Sequence, residues 1–362
     1  MNKKYLIILT GVIVGILGVL LVAAGNPANM GYCIACFLRD ITGALGLHRT
    51  ETVQYLRPEI MGLVLGAFIA ALASGEFRTV GGSNTLTRFT LGFLGMLGML
   101  VFLGCPLRVI FRLSAGDLNA LVGLLGLIAG VFLGTQFLSR GYSLGRTIPQ
   151  NQTNGYIFPL FMLVLLALLL AKPAFIFFST KGPGSQRAAL GLALAAGLAV
   201  GILAQRSRLC MIGGIRDFIF FRDTYLLSGF LAMLAAATLG NLVLGKFHPG
   251  FANQPIAHSE TLWNFLSLTL AGLAFVLLGG CPLRQLISAA EGNGDSAITV
   301  LGIIAGAAFS HNFSLAASPA GVPIGGKVAV VLGLIVTILI GTLYTTQTKN
   351  RGGAFNGTFS GR

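Results

Sequence analysis

Gly104-Cys105-Pro106-Leu107-Arg108 occurs twice in this chain, returning unchanged as Gly280-Cys281-Pro282-Leu283-Arg284 at an offset of 176. Downstream, Gly126-Leu127-Ile128-Ala129-Gly130 is matched by Gly302-Ile303-Ile304-Ala305-Gly306 at the same offset. Upstream, Cys33 precedes Arg39-Asp40 by six residues, as Cys210 precedes Arg216-Asp217, at an offset of 177. Shared hydrophobicity produces similar composition, but it does not place Cys, Pro and Arg-Asp in one order. The chain contains itself twice.

The surroundings of the motif set the fold class. Apolar residues make up 55% of the 362, charged residues only 9%, and the mean hydropathy is +0.85. A soluble domain carries roughly 25% charged residues to keep its surface hydrated, so a soluble globule is excluded. Ten apolar segments are long enough to be read as spans. Five run Lys4 to Gly25, Pro58 to Gly75, Thr87 to Gly104, Asp117 to Leu138 and Tyr156 to Phe178. Five more run Ala188 to Ala204, Thr224 to Gly245, Leu262 to Gly280, Ser296 to Phe313 and Gly326 to Thr345. The first lacks a convincing small-residue cleavage site and reads as a retained span rather than a signal peptide.

An odd number of spans per unit makes the second unit enter from the opposite face, the inverted-topology arrangement found mainly in transporters and channels. Met30 to Gly46, Pro106 to Gly116, Leu209 to Phe221 and Pro282 to Ala290 are apolar but too short to span. They are predicted as re-entrant half-helices, since irregular backbone at membrane depth must be buried in protein or line a cavity. The alternative is that they lie on the membrane surface. The expectation is an all-α polytopic membrane protein with two inverted five-span repeats, residues 1–180 and 181–348, and a polar tail at 349–362. Neither repeat is expected to fold alone. The 51 glycines fit close helix packing.

The formal charge is +14, from 24 Lys and Arg against 10 Asp and Glu. No basic run presents itself to nucleic acid. Loop Lys and Arg are more numerous on the side holding both termini, which places the termini in the cytoplasm by the positive-inside rule. An anionic substrate accounts for further positive charge.

Gly-Cys-Pro at the end of a span has a specific physical reading. Glycine lets the long helix stop, and proline is preformed for the first position of a new one. The cysteine then sits at a helix start, where free N–H groups and the helix dipole favour anions and thiolates. Arg108 and Arg284 follow about one turn later and reinforce that potential. The repeat is expected to set Cys105 and Cys281 facing one another across a pseudo-twofold axis. Cys33 and Cys210 are further pore candidates. Packing is the alternative role for all of these, because free cysteines are often buried. Cys36 has Gly213 as its repeat partner and reads as a lesser contributor. Cys33-Ile34-Ala35-Cys36 also forms a CxxC pair, which leaves redox or metal chemistry open without a second ligand pair to support zinc.

Arg39-Asp40 and Arg216-Asp217 are read as structural charge pairs bracing the short segments, since ionised groups at membrane depth pair or face water. His48, His248, His258 and His311 show no metal-ligand spacing. No nucleotide loop, catalytic triad or cofactor fingerprint is visible, so neither an enzyme nor a bound cofactor is expected.

Both Gly-Cys-Pro motifs and the duplication resemble the YeeE/YedE family of sulfur-transport membrane proteins, over roughly Met30 to Phe313. Gly31-Tyr32-Cys33-Ile34-Ala35-Cys36-Phe37-Leu38-Arg39-Asp40 and Tyr55-Leu56-Arg57-Pro58-Glu59-Ile60 look more like the YedE branch associated with selenium metabolism. The resemblance implies pore cysteines at Cys105, Cys281 and Cys33, with Cys36 and Cys210 beyond the minimal thiosulfate pattern. It also implies a bacterial inner-membrane location and a cytosolic sulfur-carrier partner.

Three functions are weighed. The first is import of a small sulfur- or selenium-containing anion, whose soft atom is recognised by weak S–H contacts that still permit release. The second is a membrane sulfur- or selenotransferase using a cysteine persulfide relay. The third is a thiol redox or metal-handling protein built on Cys33 and Cys36.

Overall fold

The computed structural model describes residues 3–356, with side chains for residues 4–346. The first half holds α1 (Lys3–Ala23), α2 (Ile34–Ala44), α3 (Pro58–Ala73), α4 (Thr85–Phe102), α5 (Pro106–Ser114), α6 (Asn119–Ser139) and α7 (Gln152–Ala171). The second holds α8 (Leu190–Ser207), α9 (Met211–Phe221), α10 (Tyr225–Val243), α11 (Thr261–Leu277), α12 (Pro282–Ala290), α13 (Gly294–Asn312) and α14 (Ile324–Asn356). Each half therefore runs long, short, long, long, short, long, long. The four short segments are helical, as their sequence led us to expect. A two-residue antiparallel pair, β1 (Val80–Gly81) with β2 (Ile148–Pro149), is the only sheet among the described residues.

Eight helical units are long and apolar enough to cross a membrane: α1, α4 with α5, α6, α7, α8 with α9, α10, α11 with α12, and α14. The ten predicted spans are all helical, but two fall short of that standard. α3 has only 16 residues, and α13 carries Asp295 in its first turn and His311 in its last. α14 continues through Asn356, so helix extends into the segment from 349 that was set apart as a tail; residues 357–362 lie outside the described residues.

The halves interleave. The most extensive packing joins α3 to α8, α6 to α11, α1 to α10 and α4 to α13, with α4 against α11 at the centre. Exchanging the halves turns α3–α8 into α10–α1 and α6–α11 into α13–α4. The correspondence reaches single residues. A side chain on Gly126 or Gly130 would collide with the carbonyls of Phe265 and Thr269, and one on Gly302 or Gly306 with those of Phe89 and Phe93. Those contacts map onto each other at the offset of 176. Glycine is needed there because backbone meets backbone, the small-residue packing that joins helices in lipid.

The centre is built from the duplicated motif. The α4–α5 and α11–α12 units are 94% and 89% buried, against 28–44% for the other six. The connections gather at two ends. At one, Leu118 N–H donates to Gly250 O at 3.0 Å, Phe177 N–H to Ala44 O at 2.9 Å, and Asn312 Nδ2 to Leu47 O at 2.9 Å. At the other, Arg78 N–H donates to Glu291 O at 2.9 Å, Asn84 Nδ2 to Leu144 O at 2.7 Å, and Arg208 pairs with both Glu76 and Glu291.

Candidate functional site

Each half carries two short helices that start at a cysteine. In α2 and α9 the sulfur caps its own helix: the Cys36 N–H donates to Cys33 Sγ at 3.3 Å, and the Gly213 N–H to Cys210 Sγ at 3.3 Å. α5 and α12 begin with Pro106 and Pro282 after an extended Cys105 or Cys281, and neither sulfur closes a capping bond. Each of these thiols instead interacts with the capping cysteine of its own half, Cys105 with Cys33 and Cys281 with Cys210. The Cys281 N–H also donates to Cys210 Sγ at 3.4 Å.

The expected facing pair of Cys105 and Cys281 is thus replaced by two pairs, one in each half. The reason is that α2 packs against α4 and α9 against α11, bringing each short helix to the corner of its own Gly-Cys-Pro motif. At each corner two helix N-termini converge on two thiols. Their unpaired N–H groups and dipoles make that place favourable for negative charge.

All five cysteines are free and buried. Cys36, read from the repeat as the lesser one, joins the first cluster: its sulfur lies 3.7 Å from Arg108 Nη1 and 4.0 Å from the Leu103 carbonyl. Among the described residues, no group of three or more His, Cys, Asp or Glu is placed to hold a metal ion.

The two arginines of the repeat differ sharply. Arg108 is fully buried and has no carboxylate partner among the described residues. Its Nε donates to Asn29 O at 3.0 Å, Nη2 to Ile256 O at 3.3 Å, and Nη1 to Leu103 O. Arg284 is part-buried and held by Glu291 through bonds of 2.7 and 3.3 Å. Glu291 also accepts from Arg208 at 2.7 Å, and Arg208 pairs with Glu76 at 3.0 Å. The second corner is thus enclosed in an ion network and the first is not.

The charge pairs form as expected. Arg39 donates to Asp40 from Nε and Nη2, at 3.0 and 2.7 Å, and Arg216 pairs with Asp217 at 2.8 Å. Asp40 also holds the buried Arg57 at 2.7 Å, a partner not foreseen. A second unforeseen pair, Arg112 with Asp117 at 2.6 Å, lies one turn beyond Arg108. Its signal in the sequence was departure from the repeat, whose second copy has Ser288 and Asn293 there. The same signal marks Glu291, which stands where the first copy has Ala115.

A cleft of about 320 Å³ opens beside the first corner. Arg39, Thr50, Leu103, Ile256 and His311 help line it, and no carboxylate does so among the described residues. The Leu103 and Ile256 that form part of its wall are the residues whose carbonyls hold Arg108. His311 stacks on His48 with ring centroids 4.5 Å apart, and its buried Nε2 has no partner.

Residues 206–349 match the family model described as sulphur transport. That match supports the YeeE/YedE family. It takes in Cys210, Cys281, Arg284 and Glu291, the whole of the second corner. No curated protein matches the chain. The eight membrane-length apolar helices fit a multi-pass membrane protein, and over residues 206–349 the chain is similar to sulphur-transport proteins.

Proposed function

We propose that the protein imports a small anion bearing a soft sulfur or selenium atom across the bacterial inner membrane, through a path lined by the two cysteine corners. The observation that carries this is Arg108. A cation buried without a counter-charge costs several kcal/mol, and neutral carbonyls offset only part of that. An ionisable group of this kind at membrane depth is a functional site by default. An anion reaching the first corner supplies the missing charge, while Cys33, Cys36 and Cys105 supply soft contacts for its sulfur or selenium. The cleft beside Leu103 and Ile256, lined by no carboxylate among the described residues, suits the approach.

The inverted arrangement of the repeats belongs to this reading. It is supported by the connections: in the one bearing Cys33, Asn26 Oδ1 accepts from the Ala188 N–H at 2.9 Å, whereas in the one bearing Cys210, Arg208 pairs with Glu76 and Glu291. The corners then stand one toward each membrane face, with both termini cytoplasmic and the Cys210–Cys281 corner on the inner side. A cytosolic sulfur carrier would collect the anion there. Passage by this route requires no bond to be made or broken.

The test is uptake into vesicles holding the purified chain, with labelled thiosulfate against sulfate. The two share a charge, but sulfate lacks a soft terminal sulfur. Thiosulfate should accumulate and sulfate should not. Equal accumulation of both would sink the soft-atom argument, and a lasting mass adduct on one cysteine would favour the persulfide relay.

A further inference from the structure

We propose that Glu291 is a built-in competitor for the transported anion, occupying Arg284 in its absence so that the second corner binds weakly and releases. The inference rests on the function proposed above. Glu291 presents both carboxylate oxygens to the Arg284 guanidinium, at 2.7 and 3.3 Å, in the two-point geometry that a small oxyanion would itself adopt. An anion can bind Arg284 only by sharing or displacing that carboxylate, which lowers its net gain.

The first corner has no such device. Arg284 and Glu291 are seven residues apart, and the residue seven beyond Arg108 is Ala115. Identical motifs therefore end in opposite electrostatic states, one cation with no carboxylate partner among the described residues and one already answered. Arg284 sits on the helix that Cys281 opens, and the Cys281 N–H donates to Cys210 Sγ at 3.4 Å, so the competition takes place beside the cysteine pair.

Arg208 gives the carboxylate somewhere to go. It bonds Glu291 at 2.7 Å and Glu76 at 3.0 Å from different nitrogens, so Glu291 can loosen from Arg284 while remaining paired. A passage of this kind needs sites strong enough to enter and weak enough to leave. The pairing of an open arginine with a masked one grades affinity along the path, high at the Arg108 corner and low at the Arg284 corner.

The experiment is thiosulfate binding and vesicle uptake with Glu291→Gln, which keeps the shape and removes the charge. Half-saturation should fall about tenfold, equivalent to about 1.4 kcal/mol, while maximal uptake drops because release slows. Glu51→Gln, which makes the same charge change at an exposed pair with Lys181, should alter neither. Should Glu291→Gln fail to fold, Glu291→Asp keeps the charge but shortens the reach to Arg284, and should move both quantities the same way by a smaller factor. Unchanged half-saturation, or an equal shift in Glu51→Gln, would overturn the proposal. If the parent protein takes up no thiosulfate at all, the proposed function fails instead, and the two failures are told apart by that control.

Discussion

The Arg108 corner and the Arg284 corner start from the same five residues and end in different physical states. Around Arg108 there are three thiols, three backbone carbonyls and, among the described residues, no paired carboxylate. Around Arg284 there are two thiols and a carboxylate that a second arginine shares. Duplication preserved the scaffold of half-helix, cysteine and proline, because that scaffold closes the centre of the bundle. It did not preserve the charge balance. A path through a membrane gains from such inequality, since two equally strong sites would hold an anion at both ends.

The largest effect expected from this comparison comes from removing each cation in turn. Arg108→Gln should lower thiosulfate uptake by about a hundredfold, because one charge-assisted bond is worth about 1.5–3 kcal/mol and the anion's main counter-charge is lost. Arg284→Gln removes a charge that Glu291 already answers, and should cost about tenfold or less. Arg108→Lys should recover part of the loss, which a merely structural arginine held by three carbonyls would not allow. If Arg284→Gln proves the more damaging of the two, the ranking of the corners is reversed.

Alanine at each cysteine sharpens the comparison at the next level. Cys105→Ala and Cys33→Ala should each slow uptake about tenfold, the equivalent of one lost contact of 1.4 kcal/mol at the barrier. The melting temperature of Cys105→Ala should stay near the parent's, because a buried cysteine differs little in volume from alanine, whereas Cys33→Ala also removes the cap of α2 and should melt somewhat lower. Cys36→Ala, beside Arg108, should resemble Cys33→Ala. Cys281→Ala and Cys210→Ala should cost less, since the second corner is built to release. Full activity in a Cys33→Ala/Cys105→Ala double variant would make these thiols packing residues.

Much of this architecture was legible beforehand because it is repetitive. Gly126 and Gly302, or Cys105 and Cys281, announce themselves by recurring, and recurrence survives any error in placing a helix end. The starts of α5 and α12 were legible because proline directly after a cysteine is preformed for the first position of a helix. The pairing of Cys105 with Cys33 was not, since nothing in the spacing says which of two corners a thiol joins. That is decided by how far α2 folds back against α4. Cys36 was undervalued for a related reason: matching it to Gly213 measured symmetry, whereas its contact with Arg108 arises in a place the repeat does not share. Glu291 and Asp117 were visible only as breaks in the duplication, and a break gains meaning once the arginine it faces is known.

The smallest effect expected concerns acid, and it separates the corners by what holds them. Carbonyls hold Arg108, and carbonyls do not titrate in the accessible range. The ion network that reaches Arg284 includes Glu76, just beyond α3, whose carboxyl is held below the usual range first by the Gln205 amide, bonded at 2.5 Å, and then by Arg208 and Arg206. A carboxyl lowered in the folded state adds stability that is fully present above its unfolded value, about 4.3, and is lost as pH falls through the folded one. Glu76 is 38% exposed, so solvent screens much of that contribution. The contribution of Glu76 to the melting temperature should therefore be constant from neutral pH to about 5 and decline modestly below about 4. Glu76→Gln should begin slightly lower at neutral pH and decline less in acid, so that the two curves converge, as melting in detergent across that range would show. Parallel curves would mean that Glu76 carries no acid-sensitive stability. The network's link from Glu76 through Arg208 to Glu291 would then rest on Arg208 alone.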